Sequence, residues 1–433
     1  MRNDAIVALI TGPPPSGVAV LRVSGHGAWA VGRKVFPSLP DPVISHSATY
    51  GTFVTGDDGL VLPFAERRSF TGEESIEFSI HGSAASVASL LDACINAGCR
   101  QAEPGEFTLR AFMNGRIDLS QAEGVRATVD AVTSAQLKQA NDLRSGHASR
   151  NATEISQGLL TLLTAVEAST DFSEEIGDLD RDLARARLQA ARAQIEQTLA
   201  AAPAQQILHR GLTIVIAGQP NAGKSSLLNQ LLGADRAIVT AHAGTTRDTI
   251  EGMTEFQGVP CRLVDTAGIR ESSDAVEQEG IARSHQALSS AHLVLYVFDA
   301  EAGWQLTDDQ LASSLDAPTM IVANKIDRPH SAPRGIGVSC TTGTGIPALR
   351  QAIADQIPSV SAESPVTLER HAAAFQAAAL AIDSAMQTLA AHMPDDLLAV
   401  DLRSALRHLG EISGETASPD VIDRIFHDFC IGK

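Results

Sequence analysis

The stretch that most limits what this chain can fold into is a glycine-bounded turn in its middle. The apolar run Leu212–Ala217 leads into Gly218-Gln219-Pro220-Asn221-Ala222-Gly223-Lys224-Ser225, and Ser226–Leu232 follows with helical periodicity. Strand, glycine loop and helix in that order make a cradle for a polyphosphate. Glycines let successive backbone N–H groups turn inward, and the helix N-terminus adds positive partial charge. Lys224 is then placed to reach the β and γ phosphates, and the Ser225 hydroxyl to bind Mg²⁺. Asn221, Ala222, Gly223 and Ser226 complete the expected contacts of the loop.

Two further motifs follow in the order such a site requires. Val264-Asp265-Thr266-Ala267-Gly268 ends another apolar run. Asp265 is expected to hold Mg²⁺ through water and the Gly268 N–H to touch the γ phosphate, with Thr266 and Ala267 beside them. Met320-Ile321-Val322-Ala323-Asn324-Lys325-Ile326-Asp327 comes next. The Asp327 carboxylate can accept two N–H bonds from the guanine edge. Adenine lacks that pair of donors, and a polar mismatch rejects the wrong ligand far more strongly than an apolar one. The motif therefore selects GTP over ATP. Ser339-Cys340-Thr341 stands where related GTPases carry a Ser-Ala-Lys loop, and backbone contacts to the base from Ser339 and Cys340 survive the change. Many small GTPases place a water-orienting glutamine directly after the Asp-x-x-Gly motif. Here that position is Ile269, which cannot orient water: either hydrolysis is feeble, or the charge and the water are handled otherwise.

A chain of 433 residues is too long for one core, and roughly two to four domains are expected. Residues 1–117 read as mixed α/β. Ala5–Ile10, Val18–Val23 and Glu74–Ile80 are strand-like, and Ser86–Ala97 reads as a helix ended by Gly98. From Leu119 to Ala202 proline is absent. Val125, Val129, Val132, Ala140 and Leu143, then Leu159, Leu162, Leu163 and Val166, then Leu183 to Leu199, recur at helical spacing. Pro203 to Arg210 reads as a linker. Residues 211–358 alternate strand and helix, the signature of a parallel sheet. Pro358 to Pro365 is a second linker, and 367–433 return to Ala/Leu-rich helix. Neither helical stretch alone offers a large core, so the two are expected to pack together. The expected fold is thus α/β and α: an N-terminal α/β domain (1–117), a discontinuous helical domain (118–208 and 361–433) and an inserted Ras-like P-loop GTPase domain with a mostly parallel sheet (209–360).

The formal charge of −18 repels nucleic-acid phosphates over the bulk of the surface. The five cysteines show no C-x-x-C spacing, which fits a reduced, cytoplasmic setting. The thirteen histidines are scattered without metal-ligand spacing. No signal peptide and no membrane span are read from the sequence.

Gly244-Thr245-Thr246-Arg247-Asp248, Asn221 in the phosphate loop, and the terminal Phe429-Cys430-Ile431-Gly432-Lys433 resemble the tRNA modification GTPases of the MnmE (TrmE) family. The resemblance runs over the whole chain. It implies that two G domains dimerise across the nucleotide and that K⁺ takes the place of an arginine finger. The implied K⁺ ligands are the Asn221 side chain and backbone or hydroxyl oxygens of Thr240, His242 and Thr245, with Ala241, Ala243 and Gly244 lining the nucleotide in the same loop. Thr246 would share Mg²⁺ with Ser225. The implied water-orienting acid is Glu277, with its neighbours Asp274 and Glu279 as rival candidates for the role.

The resemblance further implies an N-terminal module that dimerises and binds (6S)-5-formyl- or 5,10-methylene-tetrahydrofolate through Arg22, Glu77, Arg116 and Lys433. Many family members carry Lys where this chain has Arg116. The alternative reading of Arg22 and Glu77 is a structural ion pair. Cys430 reads either as a buried apolar cysteine or as a reactive catalytic thiol near the folate and the tRNA base. The implied activity is that of a homodimer working with the FAD- and NADH-dependent partner MnmG (GidA), in a heterotetramer or larger. Together they would add an aminomethyl or carboxymethylaminomethyl group to C5 of the wobble uridine of certain tRNAs. A regulatory GTPase, as in ribosome assembly, would explain residues 211–342 equally well, but not the N-terminal module or the terminal Cys-Ile-Gly-Lys. A folate-dependent one-carbon transferase with a G domain as switch is the other alternative.

Overall fold

The computed structural model describes residues 4–171, 177–233, 251–265, 288–330, 334–358 and 368–432. They divide into two compact units: Met1–Arg126 with Asp142–Ile195 and Ala373–Lys433, and Ala127–Asn141 with Glu196–Ala372.

The first unit contains a sheet of β1 (Ile6–Leu9), β2 (Val18–Ser24), β3 (Thr49–Thr52), β4 (Asp58–Phe64), β5 (Ser75–His81) and β6 (Arg100–Gln101). Their order is β3-β4-β5-β2-β1-β6. Every pairing is antiparallel except β1 with β6. Successive side chains of a strand point to opposite faces. One face therefore presents Val7, Leu21, Val23, Val61, Ile76, Phe78 and Ile80, packed with Ala28, Val31 and Val35 of α1 (Ala28–Val35) and Val87, Leu90 and Cys94 of α2 (Ala84–Ala97). Arg22 and Glu77 stand opposite each other in the β2–β5 register, on the other face.

The next helices along the chain are α3 (Glu106–Met113), α4 (Leu119–Asp130), α5 (Ser134–Arg144), α6 (His147–Asp171) and α7 (Arg181–Ala200), of which α4, α5 and α7 have residues in both units. Helix α6 buries Ile155, Leu159, Leu162, Leu163 and Val166 along one stripe. It packs on the later helix Asp395–Ser413, which buries Leu398, Leu402, Ala405, Leu409 and Ile412. Arg403 and Glu167 pair at 2.6 Å beside that seam. Each buried Leu or Ile contributes about 1.5–3 kcal/mol relative to exposure, so the two helical stretches stabilise each other despite their separation in sequence.

The second unit is built on β7 (Leu212–Ala217), β8 (Glu251–Phe256), β9 (Val259–Asp265), β10 (Leu293–Asp299), β11 (Thr319–Asn324) and β12 (Ile336–Gly337). The order is β12-β11-β10-β7-β9-β8, parallel throughout except β8 against β9. Apolar residues line both faces, as a parallel sheet covered on both sides requires. Ile214, Ile216, Leu263, Leu295 and Val297 meet Leu227, Leu228, Leu231, Leu349 and Ile353 on one side. Val215, Val264, Val294, Tyr296 and Phe298 form the other layer. The strand order reverses at β7, and ligands of such sheets bind at the carboxyl ends of the strands at that point.

One expectation from the sequence is corrected here. Pro203 to Arg210 is no linker but part of a helix, α8 (Ala202–Arg210), with Pro203 in its first turn. Proline is well tolerated there because the first N–H groups of a helix lack intrahelical partners. The helix buries Leu208. The Gln139 amide binds the Gln205 side chain at 2.6 Å, and Gln136 reaches the carbonyls of Leu208 and His209 at 3.2 and 3.1 Å. No described helix is long and apolar enough to cross a membrane.

Candidate functional site

The phosphate loop leaves β7 at the switch point and enters helix α9 (Lys224–Gly233). Asn221 takes the left-handed conformation at φ 63°, which turns the chain back toward the helix. Gly223 has φ +92°, and a Cβ there would lie 2.2 Å from the Asn324 amide nitrogen. Only glycine satisfies both the angle and the contact. Lys224 is buried at the mouth of the helix, and its ammonium donates to the carbonyls of Gly218 and Gln219 at 3.1 and 2.9 Å. Ser226, in the first helical turn, is exposed.

Ser225 donates its hydroxyl to Asp265 at 2.5 Å, joining the start of α9 to the end of β9. Asp265 is completely buried. A hydroxyl beside a carboxylate at a helix N-terminus is a hard-oxygen donor set, the kind that Mg²⁺ accepts while keeping several waters.

The Asn324–Asp327 segment is tied to this loop by side chains. Asn324, at the end of β11 and only 2% exposed, donates from its amide to the Ala222 carbonyl at 2.9 Å. Its oxygen accepts the Cys340 N–H at 3.3 Å. The Lys325 ammonium donates to the Asn221 carbonyl at 2.8 Å and to the Asp299 carboxylate at 2.7 Å. Gln230 of α9 donates to the Cys340 carbonyl at 2.9 Å. Asp327 is exposed, and the hydrogen bond from Ser339 holds its carboxyl below the usual carboxylate range. Ser339 itself is buried. Phosphate loop, Asn-Lys-x-Asp motif and the 339–342 loop therefore form one hydrogen-bonded rim.

Of the residues singled out in the sequence, the structure brings together Asn221, Ala222, Gly223, Lys224, Ser225, Asp265, Asn324, Lys325, Asp327, Ser339 and Cys340. Thr240, Ala241, His242, Ala243, Gly244, Thr245, Thr246, Thr266, Ala267, Gly268, Glu277 and Lys433 lie outside the described residues. Asp299 and Gln230 escape a reading by motifs. Neither belongs to one, and only the position of Asp299 at the carboxyl end of β10 hints at the site.

On the N-terminal sheet, Arg22 Nε and Nη2 meet Glu77 Oε1 at 2.9 and 2.8 Å. The guanidinium carbon lies 5.2 Å from the Phe70 ring centre and 5.5 Å from that of Phe107. Phe107 belongs to α3. The ion pair is therefore present, and two aromatic rings flank it. Arg116, just past α3, is exposed, with its stem against Gly72.

The C-terminal tail reaches the same domain. The Cys430 carbonyl lies 3.4 Å from the Gly105 N–H, just before α3. Gly432 has φ +95°, and a Cβ there would lie 2.0 Å from the Leu9 carbonyl at the end of β1. The backbone of the tail thus approaches the sheet closely enough to require glycine. Cys430 is exposed, which corrects the reading of a buried apolar cysteine, whereas Cys94, Cys99 and Cys261 are buried.

Sheet register also joins groups that the sequence leaves apart. Asp57, Asp58 and His81 gather within 4.8 Å. His81 Nδ1 pairs with Asp57 at 2.6 Å, and the Tyr50 hydroxyl donates to Asp58 at 2.5 Å. The Asp57 carboxylate raises the His81 pKa. Burial pushes the Asp57 pKa up, but the bonds from His81 and Ser86 outweigh it and hold the carboxyl low.

This geometry agrees with the likeness of the chain to known proteins. Residues 5–116 match the family model "GTP-binding protein TrmE N-terminus", and residues 119–430 match "MnmE helical domain". The tRNA modification GTPase MnmE of Chloroflexus aurantiacus is 42% identical over 454 residues, covering 100% of both chains. That of Moorella thermoacetica is 39% identical over 464 residues, again covering 100% of both. Among solved structures, the G domain of the T. maritima FeoB iron transporter is 24% identical with a TM-score of 0.27, covering 34% of this chain and 98% of its own. Matches to both domain models, and full-length identity well above 30%, lead to one conclusion: the chain belongs to the MnmE family of tRNA modification GTPases.

Proposed function

We propose that this chain hydrolyses GTP in a K⁺-dependent manner and couples that cycle to modification of the wobble uridine of certain tRNAs. The observation that carries the reading is the Asn324 bridge, which ties the base-reading motif to the phosphate loop from a buried position. In this reading Asp327 accepts the guanine N–H pair and the Lys325 stem covers the purine. Lys224 releases the Gly218 and Gln219 carbonyls for the β and γ phosphates. Ser225 and Thr246 would hold Mg²⁺, with Asp265 acting through water.

A K⁺ ion held by Asn221 and its co-ligands would supply positive charge that stabilises the transition state of hydrolysis. Asn221 fits such a ligand. Its backbone is fixed by Lys325, and its side chain makes no hydrogen bond among the described residues. Thr240, His242 and Thr245 would complete the set. Glu277 would orient the attacking water, the task that Ile269 cannot perform. G domains of two copies would close across the nucleotide and reopen after hydrolysis.

The N-terminal site would bind a 5-formyl- or 5,10-methylene-tetrahydrofolate through Arg22, Glu77, Arg116 and Lys433. Phe70 and Phe107 offer aromatic faces beside the guanidinium. The exposed Cys430 would stand near the one-carbon unit. The flavin and NADH chemistry would belong to an MnmG (GidA) partner bound to the homodimer in the cytoplasm.

Hydrolysis in K⁺ against Na⁺ tests the first half. A rate at least about 10-fold higher in K⁺ is expected from a cation placed at the developing charge, and equal rates refute it. Mass spectrometry of wobble uridines from a deletion strain tests the second half. Unchanged uridines would favour a purely regulatory GTPase.

A further inference from the structure

Asp299 ends β10, the strand beside β7, and belongs to none of the nucleotide motifs. Its Oδ2 accepts the Lys325 ammonium at 2.7 Å, and its Oδ1 accepts the Glu301 N–H at 2.9 Å. The carboxylate is thus held at both oxygens. Lys325 has left-handed backbone at φ 67°, and its ammonium also donates to the carbonyl of Asn221, itself at φ 63°. The two side chains are 24% and 25% exposed, so water screens their pairing only in part. An ammonium fixed to two acceptors on different segments has one direction for its four-carbon stem. That direction governs where the stem lies relative to Asp327 and how the Asn221 turn is presented.

We propose that Asp299 is a positioning residue for nucleotide recognition: through the Lys325 ammonium it sets both the stem that covers the purine and the phosphate-loop turn at Asn221. The inference rests on the reading of Lys325 and Asp327 as the base-recognition pair. Asp299 itself need not touch the nucleotide. Burial raises its pKa, but the bonds from Lys325 and the Glu301 N–H outweigh this and hold the carboxyl below its ordinary value. The group therefore stays charged through the neutral range.

A double-mutant cycle on the full chain tests the proposal, with GDP and Mg²⁺ titrated by calorimetry. Asp299→Asn keeps the shape and removes the charge, and is expected to weaken GDP by about fivefold, the loss of one charge-assisted bond. Asp299→Glu should recover most of that loss. In a Lys325→Ala background, Asp299→Asn should change the affinity by less than about twofold, because the residue acts through the ammonium. Equal losses in both backgrounds would mean a general structural role and overturn the proposal, as would an unchanged affinity in Asp299→Asn. An Asp327→Asn chain that binds GDP as well as the unmodified one would instead remove the base-recognition reading on which it stands.

Discussion

Replacing Asn324 by alanine perturbs the rim at its most buried point. The side chain is 2% exposed and makes two bonds, to the Ala222 carbonyl at 2.9 Å and from the Cys340 N–H at 3.3 Å. Alanine leaves that carbonyl and that N–H without their partner. An orphaned buried polar group costs about 1–3 kcal/mol, and the longer, only part-buried bond from Cys340 falls at the low end. The sum is about 2–4 kcal/mol. In a unit of this size, 1 kcal/mol moves the melting temperature by about 2–4 °C, so a fall of about 4–16 °C is expected.

The transition to follow is the one that GDP shifts upward, since a ligand stabilises only the folded form that binds it. GDP affinity should also fall, by about 10-fold or more, because the loop must be re-ordered on binding. A melting shift below about 2 °C together with an affinity change below about twofold would refute the reasoning, because a buried acceptor such as the Ala222 carbonyl cannot lose its partner without consequence.

Three more outcomes are expected from the same structure. Asp327→Asn should weaken GTP by about 10²-fold or more and improve xanthosine triphosphate, since an amide no longer matches two N–H donors; competition binding reads both. Iodoacetamide at about pH 8 should label Cys430 first, because only thiolate reacts; burial pushes Cys99 and Cys340 up to about 11 and Cys261 to about 12, and Cys94 higher still. Peptide mapping that finds any of those four labelled ahead of Cys430 would contradict this. The His81–Asp57 pair should stabilise the N-terminal sheet in a pH window. The raised His81 pKa gives stability below about 6.5 that is lost as pH rises through the folded value, and the lowered Asp57 pKa gives stability above about 3.9 that is lost as pH falls through its folded value. His81→Asn should therefore lower the melting temperature at about pH 5.5 and leave it unchanged at about pH 9.

Short, contiguous runs carry the part of this protein that is legible in its sequence. The stretch Leu212–Ala217, Gly218–Ser225 and the helix after it is one local unit, and its chemistry is written in adjacent residues. The 3.6-residue spacing of Leu159, Leu162, Leu163 and Val166 likewise reports a buried helical face without knowing its partner. Pro203 is harder to place. A proline that starts a helix and a proline in a linker differ only in the residues after them, and the short apolar pair Ile207-Leu208 is a weak signal.

Tertiary structure decided which separate segments meet. No periodicity pairs Asn324 with Ala222 or Asp299 with Lys325. It also decided that Cys430 faces outward while the backbone of Gly432 presses on Leu9. Local sequence determines backbone conformation and which side is apolar. Contacts between distant segments depend on strand order and register, which arise only when the whole sheet and its helices are packed.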